Sequence, residues 1–512
     1  MTKLHRTLMV SALALCTAAP AVSAQELVVG FTRDADTLDP ANHRNRETET
    51  VIRNMFDGVL TRDSSMEIHP QLAESYEQVS PTVYDFHIRE GVQFHDGTEM
   101  TAGDVAFTLR RITEEGAMGD GQTSPRQSLM GPVESVEVVE GNTVRVTLSE
   151  PWPLLPAMLP FQEVVSQDFV EEVGTEGMAT QANGTGPFEL VEWRRGDSII
   201  MERFEDYYGG AEGIPPVDTA CVERAIFRII PESASRVAAL LSGDVHIINE
   251  LPPHSVAQVE NNSGTEVMTV NGTRSFFIAM NMENEIFDDI RVRQAVAHAI
   301  DRDLIIDRIL GGNAEAINGI LSPDAFGKND ELEGYDYDPE RAQELLAEAG
   351  YPDGIEVTLD VEGAFRDTAQ AVASLLTDAG INTQVSVGEG TMLTQQWRTE
   401  GEPKTGDMYF TSWGNGSLDP QGIFVPTHMT DARGNSAGYA NPELDALLEE
   451  AAVETDRAER AEMYQEAEAM AAADAPYVYL WVPQDIYGVS TRLSGWSPSP
   501  DSRINLHDAC LD

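Results

Sequence analysis

The sequence predicts an α/β fold built as more than one lobe. Short apolar or period-two runs alternate along the chain with segments of helical period, the pattern of layered α/β proteins. The chain has 512 residues, more than one core of ordinary size would hold. The third observation is a stretch that begins Met408-Tyr409-Phe410-Thr411-Ser412-Trp413, an aromatic-rich run that reads as a buried strand. It opens into Gly414, Asn415 and Gly416 before Asp419-Pro420 closes a turn. A buried strand ending in small residues brings backbone to the carboxyl edge of a sheet, where open α/β sheets bind ligands. Trp413 adds a flat apolar face with one N–H donor.

The first residues point to export. Lys3 and Arg6 precede an apolar run over 8–19, and Val22-Ser23-Ala24 offers small residues for cleavage before Gln25. That run is too short to span a bilayer, and no later stretch approaches ~18 uninterrupted apolar residues. Cys16 follows Leu15, where a lipid-attachment signal needs a small residue, so no lipid anchor is expected. Two cysteines then remain, Cys221 and Cys510, a natural pair in an oxidising compartment although about 290 residues separate them.

The charge is extreme, with 33 Lys+Arg against 86 Asp+Glu, a net −53. Such a polyanion is repelled by nucleic acid and by anionic membranes, and neither is expected as a partner. The acids are spread through periodic sequence, which argues against disorder. Lysine is scarce, with Lys328 and Lys404 left after cleavage; the acidic shell suggests a salty habitat.

In chain order, 26–31 reads as a strand followed by the polar loop Thr37-Leu38-Asp39-Pro40, and 47–60 as a helix with Val51, Met55, Val59 and Leu60 on one face. Residues 84–89 and 92–94 alternate as strands, and Asp96-Gly97 marks a tight turn. Thr101 caps a helix to about Ile112, with Asp104 three residues on. The stretches 133–139 and 143–148, split by Gly141-Asn142, form a hairpin. Helices follow over 291–310, 339–349 and 370–379, with strands over 355–361 and 383–387. A long Ala/Glu-rich helix over 444–472 starts at Asn441-Pro442, and 477–482 is a buried strand.

Several of these stretches carry a resemblance. Asn54-Met55-Phe56-Asp57-Gly58-Val59-Leu60 is followed by Tyr84-Asp85-Phe86-His87-Ile88-Arg89-Glu90-Gly91-Val92-Gln93-Phe94-His95-Asp96-Gly97 and by Thr101-Ala102-Gly103-Asp104-Val105-Ala106-Phe107-Thr108. Further on stand Gly184-Thr185-Gly186-Pro187-Phe188 and a run from Asp289 through Arg291, Arg293 and Gln294 to Asp301-Arg302. Together, and in this order, they resemble the family 5 extracellular solute-binding proteins, receptors of ABC importers for peptides, opines and nickel. The resemblance implies a two-lobed periplasmic-binding-protein fold with an extra subdomain inserted in lobe one. Lobe one would take 25–56, 184–270 and 486–512, the insert 57–183 and lobe two 271–485. Both Cys221 and Cys510 then fall in lobe one, as a disulfide requires.

The implied function is a periplasmic receptor that captures a peptide or peptide-like solute by lobe closure and delivers it to ABC permease subunits. An oligosaccharide, an opine or a metal chelate is the alternative cargo within the class. A monomer without cofactor or resident metal is expected. The different-class alternative is a secreted hydrolase, motivated by the cleft and the abundant carboxylates. Signs of catalysis are missing: there is no Gly-x-x-x-x-Gly-Lys loop, no His-Glu-x-x-His pair and no Gly-x-Ser-x-Gly elbow. Ser417 has no obvious base, Asp34, Asp36 and Asp39 lack calcium-loop spacing, and His95-Asp96 sits within a structural signature.

Peptide-binding relatives place a Trp at the strand end and, three residues later, an Asp that pairs with the peptide's amino group. Here Trp413 is kept, Gly416 stands at the Asp position, and Asp419 matches a different acid of the motif. The Arg that meets a ligand carboxylate in some dipeptide binders is displaced, to Arg366. Simple dipeptides are therefore expected to bind poorly, and a neutral or differently charged solute gains ground. The expected ligand contacts are Trp413 as a wall, the backbone of Gly414, Asn415 and Gly416, and Asp419. Trp397, Arg398, Tyr439 and His43 complete the set, with Arg366 and Arg398 as partners for an anion. Asn42, Arg44, Asn435 and Ser436 are weaker candidates.

Overall fold

The computed structural model describes residues 25–63, 65–119, 121–211, 219–398, 404 and 406–512. The leader expected over 1–24 lies outside the described residues.

One 12-stranded sheet runs through the molecule. The strand Tyr477–Ser490 is common to its two halves. Its first residues pair with Arg274–Met280, which continues to Met408–Gly414, Ile355–Glu362 and Ile381–Gly388. Its last residues pair with Thr265–Asn271 and with Ile247–Ile248, beyond which lie Glu26–Phe31, Arg224–Ile229, Ser198–Arg203 and Phe188–Arg194. The chain crosses between the halves at two adjacent places, around Gly272 and around Gln484. There the Gly272 N–H donates to the Pro483 carbonyl at 3.0 Å.

Each half has its own apolar core. One gathers Phe276, Ile278, Val296, Leu359, Phe410 and Leu480. The other gathers Val29, Phe31, Phe188, Phe227, Val489 and Leu506. A third core belongs to a separate antiparallel sheet, Ala73–Ser80, Val83–Ile88, Thr143–Leu148 and Val133–Val139, covered by the helix Ala102–Thr113. Thr101 and Asp104 form the reciprocal cap of that helix, and Gly141 and Asn142 take positive φ at the hairpin turn.

Five boundaries differ from the sequence-based expectation. The helix expected over 47–60 is Arg46–Ile52. Asn54 ends it, donating to the Thr50 and Ile504 carbonyls while accepting from the Leu506 N–H, so the C-terminal segment docks where further turns would run. Residues 92–94 contribute a single bridge, Gln93 to Glu99, in place of a strand. The helix expected over 291–310 is two, Ile290–His298 and Arg302–Arg308, because Asp301 caps the second. Asp456 likewise splits 444–472 into Pro442–Val453 and Arg457–Asp474. The strand expected over 477–482 extends to Ser490 because it serves both halves.

The glycine pair Gly184 and Gly186 shows what one of the matched stretches does. A Cβ on either would lie within 2.6 Å of Met55 backbone atoms, so only glycine admits this crossing. His95 braces it, with Nε2 donating to the Gly186 carbonyl and Nδ1 accepting from the Gly184 N–H. Burial pushes the His95 pKa down to about 4, so the ring is a neutral structural clamp.

Candidate functional site

A cavity of about 560 Å³ is lined by residues of both halves of the large sheet and of the segment that carries the antiparallel subdomain. The strand Met408–Gly414 delivers Trp413 and Gly414 to one wall, followed by Asn415, Gly416 and Ser417. The loop before the helix Arg46–Ile52 delivers His43, Arg44 and Asn45 to the facing wall. Trp152, Leu154, Met158 and Phe161 supply an apolar side.

Trp413 is half-buried and held in place. Its indole N–H donates to the Gly422 carbonyl at 3.1 Å. Gly434 lies against the ring so closely that a Cβ there would come within 2.5 Å of it. The guanidinium carbons of Arg433 and Arg398 stand 4.8 and 5.1 Å from the ring centroid, within cation–π range. Arg398 reaches this position by donating to the Ser436 and Thr411 hydroxyls and the Ser412 carbonyl.

The loop after Trp413 is largely committed within the protein. The Asn415 N–H donates to the Thr273 carbonyl at 2.8 Å, and its side chain bonds Asp419 and Ser417. The Gly416 carbonyl accepts from Arg62 at 2.9 Å. The Gly416 N–H has no hydrogen-bond partner among the described residues.

A buried polar network forms the floor opposite. Glu49 accepts from Arg126 at 2.7 Å and lies 3.6 Å from both Arg503 and His43. Burial alone would raise its pKa; the charges of Arg126 and Arg503 outweigh that and hold it down at about 2. His43 donates from Nδ1 to the Asn45 carbonyl and accepts at Nε2 from Arg126. Burial first, then the Arg126 charge, lowers its pKa to about 4, so it is neutral at physiological pH.

Five of the residues expected at the site from the sequence lie in this cavity: Trp413, Gly414, Asn415, Gly416 and His43. Arg398 touches it through the Trp413 face. The other four do not line it. Asp419 is consumed by a bidentate ion pair with Arg460, at 2.6 and 2.7 Å, beside a different cavity. Trp397 is buried, with its N–H on Asp360 and its ring stacked on Tyr409. Tyr439 is buried and donates to Asp474. Arg366 begins the helix Arg366–Asp378 on the exposed surface. Asn435 and Ser436 act as a scaffold, Asn435 bonding the Met429 and Tyr439 carbonyls and Ser436 receiving Arg398.

Sequence reasoning missed Arg274, Arg433, Arg126 and Arg503, all on the cavity wall. Arginine where the surroundings are loop and the chain is otherwise acidic was the available signal; Asp431-Ala432-Arg433-Gly434 carries it beside the Trp413 strand.

Comparison with known proteins bears on this geometry. The model of the bacterial extracellular solute-binding proteins, family 5 Middle, matches residues 67–434. A glutathione-binding protein of Pectobacterium atrosepticum is 28% identical, covering 96% of each chain. The structure of HbpA2 from Haemophilus parasuis superposes with a TM-score of 0.87 at 22% identity, covering 95% of this chain and 100% of that one. The periplasmic binding protein DppA from Helicobacter pylori, in complex with the peptide STSA, gives 0.75 at 26% identity, over 95% and 98%. A cleft between two sheet halves, walled by the strand-end Trp413 and covered by a family match over most of the chain, fixes the assignment. The chain belongs to the family 5 bacterial extracellular solute-binding proteins, the solute-capturing receptors of ABC importers.

Proposed function

We propose that this receptor works in the periplasm, reached through the leader over 1–24, and hands a small peptide-like solute to ABC permease subunits. It acts as a monomer and performs no chemistry on its cargo. The single observation that carries this reading is the cavity itself, whose walls come from both halves of the sheet and from the antiparallel subdomain. A solute there touches both lobes only when they are closed, so binding and closure are one equilibrium. We take lobe one as 25–56, 184–270 and 486–512, the insert as 57–183, and lobe two as 271–485. The two adjacent crossings near Gly272 and Gln484 then serve as the hinge.

Within the cavity, Trp413 is the wall on which the solute lies, and Gly414 and the Gly416 N–H offer backbone contacts. His43 shapes the facing wall as a neutral ring. The relatives' cargoes, glutathione and a short peptide, are the models for size. Native mass spectrometry of freshly purified protein identifies the co-purified solute, and X-ray scattering with and without it measures closure. Contraction on adding that solute is expected. Turnover of a substrate with no contraction for any solute overturns the receptor reading.

A further inference from the structure

Six guanidinium groups and one carboxylate line the cleft, in a chain carrying 33 basic and 86 acidic residues. The one carboxylate, Glu49, is already engaged by Arg126 and Arg503. Some arginines of the molecule meet an acid, as Arg111 meets Asp39 and Arg460 meets Asp419, and others, such as Arg236 and Arg293, are buried against backbone carbonyls alone. Four arginines around Trp413 stand at the open cleft with no acid partner among the described residues.

Among the described residues, Arg44 donates to the Pro125 carbonyl and the Ser128 hydroxyl. Arg274 donates to the Ser412 hydroxyl. Arg398 is held by two hydroxyls and a carbonyl, and Arg433 has the Trp413 face as its contact. Every one of these partners is neutral. Burial first, and then the charges of other arginines, Arg126 and Arg433 on Arg44 and Arg46 and Arg398 on Arg274, make the protonated form harder to keep. Arg398 feels Arg433 in the same sense. Like charges gathered in a partly desolvated cleft are unfavourable until an anion joins them.

Arg398 and Arg433 meet on the Trp413 ring, and Arg44 and Arg274 line the same cavity as that ring. Oxyanions seated among them would receive charge-assisted hydrogen bonds from forked donors. A free ammonium, by contrast, finds no unengaged carboxylate among the lining residues, and Gly416 supplies none.

We propose that the cleft selects a small organic polyanion, with at least two carboxylate or phosphate groups and no free ammonium, held by Arg44, Arg274, Arg398 and Arg433 around the face of Trp413. This rests on the receptor reading and names its cargo class.

Calorimetry on the full-length exported protein tests it with four probes: the N-acetylated dipeptide Asp-Glu, fructose 1,6-bisphosphate, Ala-Ala and maltose. At least one of the two polyanions binds, about a hundredfold tighter than Ala-Ala or maltose. Arg274→Gln and Arg433→Gln each weaken that binding by about tenfold, and so does raising the salt. Both arginines are exposed and neither meets an acid among the described residues, so the variants do not lower the melting temperature. Which polyanion binds tells carboxylate from phosphate recognition. Failure of both polyanions, or affinity indifferent to the two substitutions, overturns the proposal. Contraction in X-ray scattering with maltose or Ala-Ala alone overturns it while sparing the receptor reading. Absence of contraction with every solute, the co-purified one included, overturns the receptor reading itself.

Discussion

Arg62 donates from its guanidinium to the carbonyl of Gly416, 2.9 Å away, and thereby ties the antiparallel subdomain to the loop after Trp413. The same side chain donates to the Ala157 carbonyl at 2.6 Å and the Ser417 carbonyl at 3.3 Å. Its guanidinium carbon stands 4.6 Å from the centre of the Phe161 ring. Burial brings the Arg62 pKa down to about 10, which still leaves it charged at neutral pH. A cation donating to two carbonyls across a cleft stabilises the arrangement in which they approach.

Arg62→Met is therefore expected to favour the open form. Hydrogen bonds from a charged donor contribute about 1.5–3 kcal/mol, so solute affinity should drop roughly ten- to a hundredfold. Scattering of the unliganded variant should show a larger radius of gyration. An unchanged radius together with an unchanged affinity would mean that the Arg62 contact plays no part in closure.

The second prediction concerns Trp413. Its N–H is spent on Gly422, so what it offers a solute is its face. Trp413→Ala should weaken the true ligand by about 1–3 kcal/mol, as loss of an anchor does, and Trp413→Phe should recover most of this. Ala-Ala should bind weakly to the wild type, since Gly416 carries no carboxylate for an ammonium. Sub-micromolar binding of Ala-Ala, insensitive to Trp413→Ala, would refute both statements.

The third follows from the pairing of Cys221 with Cys510, whose Cα atoms lie 5.1 Å apart across 289 residues of sequence. The short strand Cys510–Leu511 pairs with Leu493–Ser494, and Gln25 donates to the Leu511 carbonyl, so the bond fastens the tail beside the first strand. Closing so long a loop stabilises by about 2–5 kcal/mol in the chain-entropy account. Thiol labelling of denatured, unreduced protein should find no free sulfhydryl, and reductant should lower the melting temperature. Two labelled thiols per chain would exclude the bond.

How much of this was legible in the sequence depended on whether a signal was local. Thr101 with Asp104, or Gly141 with Asn142, act through neighbours a few residues away, and those elements lie where expected. The breaks at Asp301 and Asp456 were also local, since a capping Asp inside a long helical period is a restart signal; the apolar periodicity outweighed it. The end of the helix at Ile52 was not legible, because Asn54 finds its partners at Ile504 and Leu506. The same division runs through the site. Trp413 announced itself by its place at a strand end, whereas Asp419 looked equally available until Arg460, 41 residues on, was seen to take both its oxygens. Arg274 opens the strand Arg274–Met280 and Arg433 lies in a loop far along the chain, and only the fold brings both to the Trp413 wall.

The last prediction joins two carboxyl groups whose environments drive them apart. Glu49 is held ionised by its arginines, while Glu163 is buried and neither of its carboxyl oxygens has a hydrogen-bond partner among the described residues. Burial, and then the Glu49 charge, raise the Glu163 pKa to about 8. In the unfolded chain this carboxyl titrates near 4.5, so between these two values the native state binds one proton more than the unfolded state. Stability must then decrease as pH rises through that window, by at most about 1.4 kcal/mol per pH unit from this group. Glu163→Gln keeps the shape and removes the linkage. Relative to wild type the variant should be no more stable at pH 5, and should gain steadily toward pH 8, where the wild type must either keep a costly proton or bury a charge. Urea unfolding of both proteins at pH 5, 6, 7 and 8 measures the difference directly. A constant offset across the series would show that Glu163 is ionised and satisfied in the native state.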